Sequence, residues 1–308
     1  MNSGEVANHG DGDGDDDIVD PLLAILLPRQ DDGGGGEEEE EEEDGPAETD
    51  QLEHHRLRSV NATIAIRQLP SRGLSFQLWP AATALLKLLD AHVSDPAAGP
   101  LSPILADPRR RPRPCKRRLS VLELGSGTGL VGIAAAVALG ADVTVTDLPH
   151  VVPNLQFSVD ANAAALAAGA GGGGGGGGAV RVAPLRWGEA EDVGALGEEY
   201  DVILASDVVY YDHLYDPLLE TLRWLFERSE RREEMVFVMA HLRRWKKDSA
   251  FFRKARKAFD VEAIHADEPR DGSRVGVAVY RFDWKRKRTA KRAAPSDTVS
   301  ADLTAHSI

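Results

Sequence analysis

The chain has 308 residues, 42% of them hydrophobic, enough for one sizeable core with tails or for two small domains. Its net charge of −14 is unevenly spread: residues 1–53 hold twenty acidic residues and one basic residue, Arg29, which leaves +5 for the remainder. The single cysteine, Cys115, excludes an intramolecular disulfide and a cysteine-cluster metal site. No apolar run approaches the roughly 20 residues of a bilayer span, and the first twenty residues are acidic, the wrong sign for a signal or transit peptide. The expectation is a soluble, intracellular protein with no membrane partner.

Residues 1–53 read as a disordered acidic tail, because the Asp/Gly alternation from Gly10 and the Glu37–Glu43 run have little to bury and repel one another. Such a tail either binds a basic partner or is a solvated extension. From Leu57 the pattern changes, and Val60, Ala62, Ile64 and Ile66 alternate with polar residues as in a half-buried strand. A turn at Pro70–Gly73 leads to a second predicted strand, Leu74–Leu78, and Pro80 opens a helix through Ala91. Residues 94–118 are rich in proline and arginine and read as a surface linker.

The central pattern then begins. Leu119–Leu124 is a compact apolar strand, followed by a helix from Thr128 to Leu139 with Gly140 as its C-cap. Val143–Thr146 is a strand ending at Asp147, and 150–167 a helix. Gly169–Gly178 is a low-complexity loop. Further strands are predicted at Val180–Pro184, Asp201–Ala205 and Met235–Ala240, with helices near Leu218–Glu227 and Ser249–Phe259. Two last strands, Val261–His265 and Val275–Phe282, have no helix between them and predict an antiparallel hairpin at one edge. This alternation is the signature of an α/β fold with a mostly parallel sheet covered on both faces. The glycine-rich insertion falls at a helix-to-strand connection, opposite the crevice such sheets use for ligands. The expected organisation is a folded domain at 54–283, with 169–178 as a loop insertion, and a disordered basic tail at 284–308. That tail holds Lys285–Arg288, either a nuclear-import signal or a solvated charge run.

The strongest chemical signal is Val121-Leu122-Glu123-Leu124-Gly125-Ser126-Gly127-Thr128-Gly129. An apolar strand runs into a loop whose glycines let the backbone turn sharply and approach a ligand. Leu130 stands where the dinucleotide fingerprint needs glycine or alanine, so nicotinamide and flavin lose support. Glu123 would oppose a pyrophosphate but suits a phosphate-free, cationic cofactor, of which S-adenosyl-L-methionine is one. It contacts that cofactor or serves as a structural hydrogen-bonding group. Asp147, twenty residues after Gly127, can accept from both ribose hydroxyls, or it is a helix N-cap.

In this order, the segments VLELGSGTGLVGIAAA, VTVTDLP, LRWGE and DVILASDVVYY resemble the seven-strand protein-lysine methyltransferases of methyltransferase family 16, of the methyltransferase-like 21 type. SFQLWPAATALLKLL resembles the tryptophan-containing segment that precedes the family's first central strand. The likeness covers residues 57–282 and implies the Rossmann-like seven-strand methyltransferase fold with a short N-terminal β extension. It further implies that Gly125, Ser126 and Gly127 face the methionine part of the cofactor, and that Asp147 holds the ribose. Trp187 would lie by the adenine, Ser206 near the cofactor, and Trp79 would help close the pocket. Asp207-Val208-Val209-Tyr210 matches the D-x-x-Y signature, making Asp207 and Tyr210 the catalytic pair that orients the acceptor amine or holds a water. Ser206 stands where relatives often carry alanine, and Pro80 where they often lack proline. Read without the resemblance, Trp187, Trp79 and Tyr210 could be packing aromatics and Asp207 a cap. His213, His241 and His265 are isolated and receive no chemistry; Trp224 and Trp245 read as packing.

The activity implied is transfer of methyl groups from S-adenosyl-L-methionine to a lysine amine of a protein substrate, by a monomer in the cytoplasm with possible nuclear access. One alternative is a methyltransferase acting on a small molecule or another nucleophile. A base-modifying enzyme would often carry Asn/Asp-Pro-Pro-Tyr/Phe where this chain has Asp-Val-Val-Tyr, so a nucleic-acid partner is not expected. The other alternative is a non-catalytic scaffold on the same fold, which cofactor titration separates from both.

Overall fold

In the computed structural model, residues 51–106, 117–168, 177–197, 199–244, 248–267 and 276–285 are described. The architecture is set by strands that are apolar on both faces. In β3, Ser120–Leu124, every residue is buried. Val121 points to one side of the sheet and Leu122 and Leu124 to the other, each into its own hydrophobic cluster. Around β3 are β4 (Asp142–Asp147), β5 (Ala179–Pro184), β6 (Val202–Ser206), β7 (Val236–Leu242), β8 (Phe259–Ala266) and β9 (Val277–Trp284). These seven form one sheet in the order β5-β4-β3-β6-β7-β9-β8. The pairs from β5 to β7 are parallel, whereas β9 runs antiparallel to both β7 and β8. The expected terminal hairpin is present, with its second strand inserted between β7 and the edge.

One face is covered by α1 (Pro80–Ser94) and α3 (Leu130–Leu139). The other is covered by α7 (Tyr215–Arg228) and α8 (Asp248–Ala255). Gly140 is left-handed at φ 61 and closes α3 as its position predicted. Two short helices were not anticipated: α2 (Ser102–Leu105), inside the supposed linker, and α6 (Ala190–Ala195). No described helix is long and apolar enough to cross a membrane.

Other expectations need correction. The helix over 150–167 is two, α4 (Val152–Ala161) and α5 (Ala163–Ala168). Asn162 lies between them, and its side-chain amide pairs with both backbone groups of Ala65 at 2.9 and 2.6 Å. That docking interrupts the helix. Leu74–Leu78 is not a strand: Leu74–Phe76 forms a single 3-10 turn after Gly73, whose φ of 113 bends the chain away from extension. The partner of β2 (Ala62–Gln68) is instead β1 (Gln51–Leu57). The last three residues of the segment read as acidic tail, Gln51–Glu53, thus belong to a paired strand. Phe259 begins β8 instead of ending a helix, because its ring is fully buried against Phe226, Phe282 and Trp284. Trp284, assigned to the tail, ends β9 opposite Phe259. Residues 1–50 and 286–308 of the predicted tails, most of the glycine-rich insertion and Trp245 lie outside the described residues.

Candidate active site

The parallel strands β3 to β7 all end on one side of the sheet, and the order reverses between β3 and β6. In open α/β sheets this is where a ligand crevice forms. A cavity of about 250 Å³ lies there. Trp79, Glu123, Gly125, Ser126, Gly127, Asp147, Trp187, Ser206, Asp207 and Tyr210, the ten residues singled out from sequence, all line it.

The turn leaving β3 is held by its own backbone and by β4. Gly125 has φ 62, and a Cβ there would lie 3.0 Å from both Trp187 Cζ2 and Val208 Cγ1. Only glycine combines that conformation with that closeness. The Ser126 N–H donates to the Thr146 carbonyl at 2.9 Å, and the Thr146 N–H donates to Ser126 Oγ at 3.0 Å. Asp147 accepts from the N–H groups of Gly127 and Leu148, each at 2.8 Å. Burial outweighs these bonds and holds the Asp147 carboxyl above its ordinary pKa.

Glu123 is buried beneath the turn and accepts from the Gly132 N–H of α3 at 2.9 Å. The structural hydrogen bond expected as its alternative role is therefore present, while the side chain also borders the cavity. Burial pushes its carboxyl up to about 8, with the nearby Asp147 contributing in the same direction. Of the cations lining the cavity, Arg186 is engaged bidentately by Asp192 at 2.8 and 2.9 Å. The Asp147 carboxyl beside the glycine turn disfavours phosphate and is placed to accept from ribose hydroxyls, which fits a phosphate-free nucleoside. The residues present thus suit S-adenosyl-L-methionine.

The far half of the cavity is built differently. Asp207 follows β6 at φ 59, one of two non-glycine residues with positive φ among those described. Its carboxylate accepts from Leu242 N–H at 3.1 Å and bidentately from Arg244 at 3.0 and 2.9 Å. Burial opposes ionisation, but the neighbouring His241 ring, 3.6 Å away, and the charge of Arg244 outweigh it and hold Asp207 below the usual carboxylate range. Asp207 is thus an ion-pair anchor, a setting that the D-x-x-Y spacing did not reveal. The Arg244 guanidinium lies 5.2 Å from the centre of the Trp79 ring, and the indole N–H of Trp79 donates to the Leu74 carbonyl at 3.0 Å. Tyr210, next to Tyr211 at 4.8 Å between ring centres, has its hydroxyl pushed up to about 12, chiefly by burial.

Sequence reasoning missed Arg244 and His241. The available signal was His-Leu-Arg-Arg leaving a central strand on the crevice side, where a charged cluster has little structural reason to be. Instead of being isolated, His241 is fully buried between Asp207 and Asp248. Among the described residues, no group of three or more His, Cys, Asp or Glu side chains is placed to hold a metal ion.

Comparison with known proteins gives one family. The profile described as lysine methyltransferase matches residues 59–258. The protein N-lysine methyltransferase METTL21A of Danio rerio is 37% identical over 161 residues, covering 52% of this chain and 64% of that protein. METTL21A of Mus musculus is 31% identical over 230 residues, covering 74% of this chain and 87% of that protein. The mouse EEF1A lysine methyltransferase 3 is 34% identical over 166 residues, covering 54% and 62%. The chain thus spans just under two thirds of the first and third of these relatives, and most of the second.

Proposed function

This chain belongs to the lysine methyltransferase family, and we propose that it methylates the side-chain amine of a lysine in a protein substrate, with S-adenosyl-L-methionine as methyl donor. One observation carries the reading. A glycine turn flanked by buried carboxyl groups and an acceptor wall of Asp207, Tyr210, Arg244 and Trp79 line the same cavity at the carboxyl ends of the strands.

When bound, S-adenosyl-L-methionine supplies a methyl group already activated on a sulfonium, so the chain needs no nucleophile of its own. Gly125, Ser126 and Gly127 would hold its methionine part, Asp147 its ribose hydroxyls and Trp187 its adenine, with Ser206 alongside. The harder task is on the acceptor side. A free lysine has a pKa of about 10.4, so exposing its neutral amine at pH 7 costs about 4.6 kcal/mol. Desolvation in the channel beside Trp79 and Tyr210 disfavours the ammonium, so the amine is selected neutral and its proton goes to bulk water on entry. Asp207 stays ionised and is a weak base at neutral pH; its part is to fix Arg244. Tyr210 keeps its phenolic proton throughout the neutral range and lines the channel as a hydrogen-bonding group. The reading includes action as a monomer, on protein instead of nucleic acid, in the cytoplasm with access to the nucleus.

The test is incubation of the chain with labelled S-adenosyl-L-methionine and a cell lysate, followed by mass spectrometry of labelled sites. Label on protein lysines is expected. Label confined to small molecules would move the acceptor class, and absence of cofactor binding by calorimetry would leave only a scaffold.

A further inference from the structure

The segment Leu74–Trp79 touches both halves of the cavity. At one end, the Ser75 carbonyl oxygen lies 3.1 Å from where a Cβ on Gly127 would sit, so the segment rests on the cofactor turn. At the other, the centre of the Trp79 ring is 5.2 Å from the guanidinium carbon of Arg244. Between these ends the backbone is pinned. Gln68 Oε1 accepts from the Leu78 N–H at 2.7 Å, the Leu69 N–H donates to the Phe76 carbonyl at 2.9 Å, and Phe76 is buried with Leu69 and Val151. The indole N–H, the one polar hydrogen of the Trp79 ring, is spent on the Leu74 carbonyl at 3.0 Å. That bond fixes one edge of the ring and leaves its face to be held by whatever packs on it.

We propose that Arg244 is a positioning residue: forked onto Asp207 at the end of β6, it seats the Trp79 ring and so holds the Leu74–Trp79 segment across the acceptor end of the cleft. The proposal rests on the reading of that cleft as a methyl-transfer site.

The shape of the guanidinium gives the physical reason. Its two terminal nitrogens donate to the two Asp207 oxygens at 3.0 and 2.9 Å, and the Arg244 side chain is only 8% exposed. Its charge is thus answered within the wall, and its flat face remains for the ring. A guanidinium binds a carboxylate through its edge while its face lies against an aromatic ring; an ammonium is a point charge without that geometry. The carboxylate end is itself anchored, because Asp207 also accepts from the Leu242 N–H at 3.1 Å. Three separated stretches, Leu74–Trp79, the end of β6 and the end of β7, therefore meet at one side chain. Covering the acceptor end excludes water from the approaching amine, and desolvation disfavours its ammonium form.

The experiment compares the full chain with Arg244→Lys, Trp79→Leu and the double variant. Initial rates of label transfer from S-adenosyl-L-methionine to lysate protein are followed over a dilution series of the lysate, from pH 7 to 9.5. Arg244→Lys keeps a cation beside Asp207. It should still lower kcat at pH 7 by about 10- to 100-fold, as a small misplacement of reacting groups does, with cofactor affinity in calorimetry changed less than about threefold. The loss should shrink as pH rises, because a wetter channel returns the amine toward its free pKa of about 10.4. The other ionisable groups of the cavity wall are the same in every variant: Glu123 and Asp147 at the cofactor end, Arg186 on Asp192, and Tyr210 beside Tyr211. The difference between profiles is therefore the reading. Trp79→Leu should show the same pH pattern, and the double variant should lose no more than the worse single one, since both changes break one contact. A loss equal at every pH, or losses that multiply, would overturn the proposal. Incorporated 5-fluorotryptophan gives a readout without turnover. The 19F resonance missing from Trp79→Leu should move in Arg244→Lys, while that of Trp187, identified with Trp187→Phe, stays; an unmoved Trp79 resonance would also overturn the proposal. If the unaltered chain neither binds cofactor nor labels protein, the reading of the cleft fails instead, and the 19F result still decides what seats Trp79.

Discussion

The glycine-turn half of the cavity comes from one unbroken stretch, Val121 to Asp147, joined by Trp187. The acceptor half is gathered from Leu74–Trp79, Ser206–Tyr211 and Leu242–Arg244. The first half is held by hydrogen bonds donated from main-chain N–H groups, as from Ser126 to the Thr146 carbonyl and from Gly127 to the Asp147 carboxyl. The second is held by a buried ion pair and a cation over an aromatic ring. A backbone-built site tolerates changes to distant side chains. A site built from charges removed from water fails when any one partner is lost. Cofactor binding and methyl transfer should therefore separate under mutation.

The largest effect tests that separation. Asp207→Ala leaves Arg244 buried without its carboxylate and should cost about 3–5 kcal/mol of stability. It should also abolish turnover, while calorimetry finds cofactor binding within a few-fold of the unaltered chain; equal loss of both would erase the distinction between the halves. Gly125→Ala is the reciprocal test. Its Cβ would press on Trp187 and Val208 from a left-handed residue. Strain of about 1–3 kcal/mol should appear as lost stability in denaturant titration, and displacement of Trp187 should weaken cofactor binding in calorimetry.

Glu123 sharpens the comparison through pH. Its carboxyl is raised from 4.5 to about 8, so the folded state holds a proton that the unfolded state has lost between those values. Stability should therefore fall as pH rises from about 4.5 to 8, by up to about 1.4 kcal/mol per pH unit. Glu123→Gln should flatten that slope in thermal unfolding followed across the range. The smallest effect lies outside both halves. Lys254 and Asp216 form an exposed pair at 2.7 Å, and Lys254→Ala should change stability by about 0.5 kcal/mol or less in denaturant titration.

The difference between the halves also explains what could be read in advance. Glu123, the glycines and Asp147 stand at short, fixed spacings, so their juxtaposition follows once a strand, a turn, a helix and a second strand are recognised. Asp207 was noticed for its place after a strand, but its partner Arg244 lies 37 residues away, and no local pattern joins them. The β1 segment QLEHHRL lacks apolar alternation and follows an acidic run, so its first three residues read as tail and the rest gave no strand signal; its pairing with β2 makes it a strand. Leu74–Leu78 failed in the other direction, since a short apolar run looks like a strand whether or not a neighbour is available.

Sequence alone determined the alternation of strands and helices, the glycine turn and the carboxylates beside it, because each depends on interactions among residues a few positions apart. Tertiary structure decided the insertion of β9 between β7 and β8, the pairing of Asp207 with Arg244 and the enclosure of His241 between two carboxylates. Those features depend on which charged groups are brought together away from water, and that is settled only when distant segments pack.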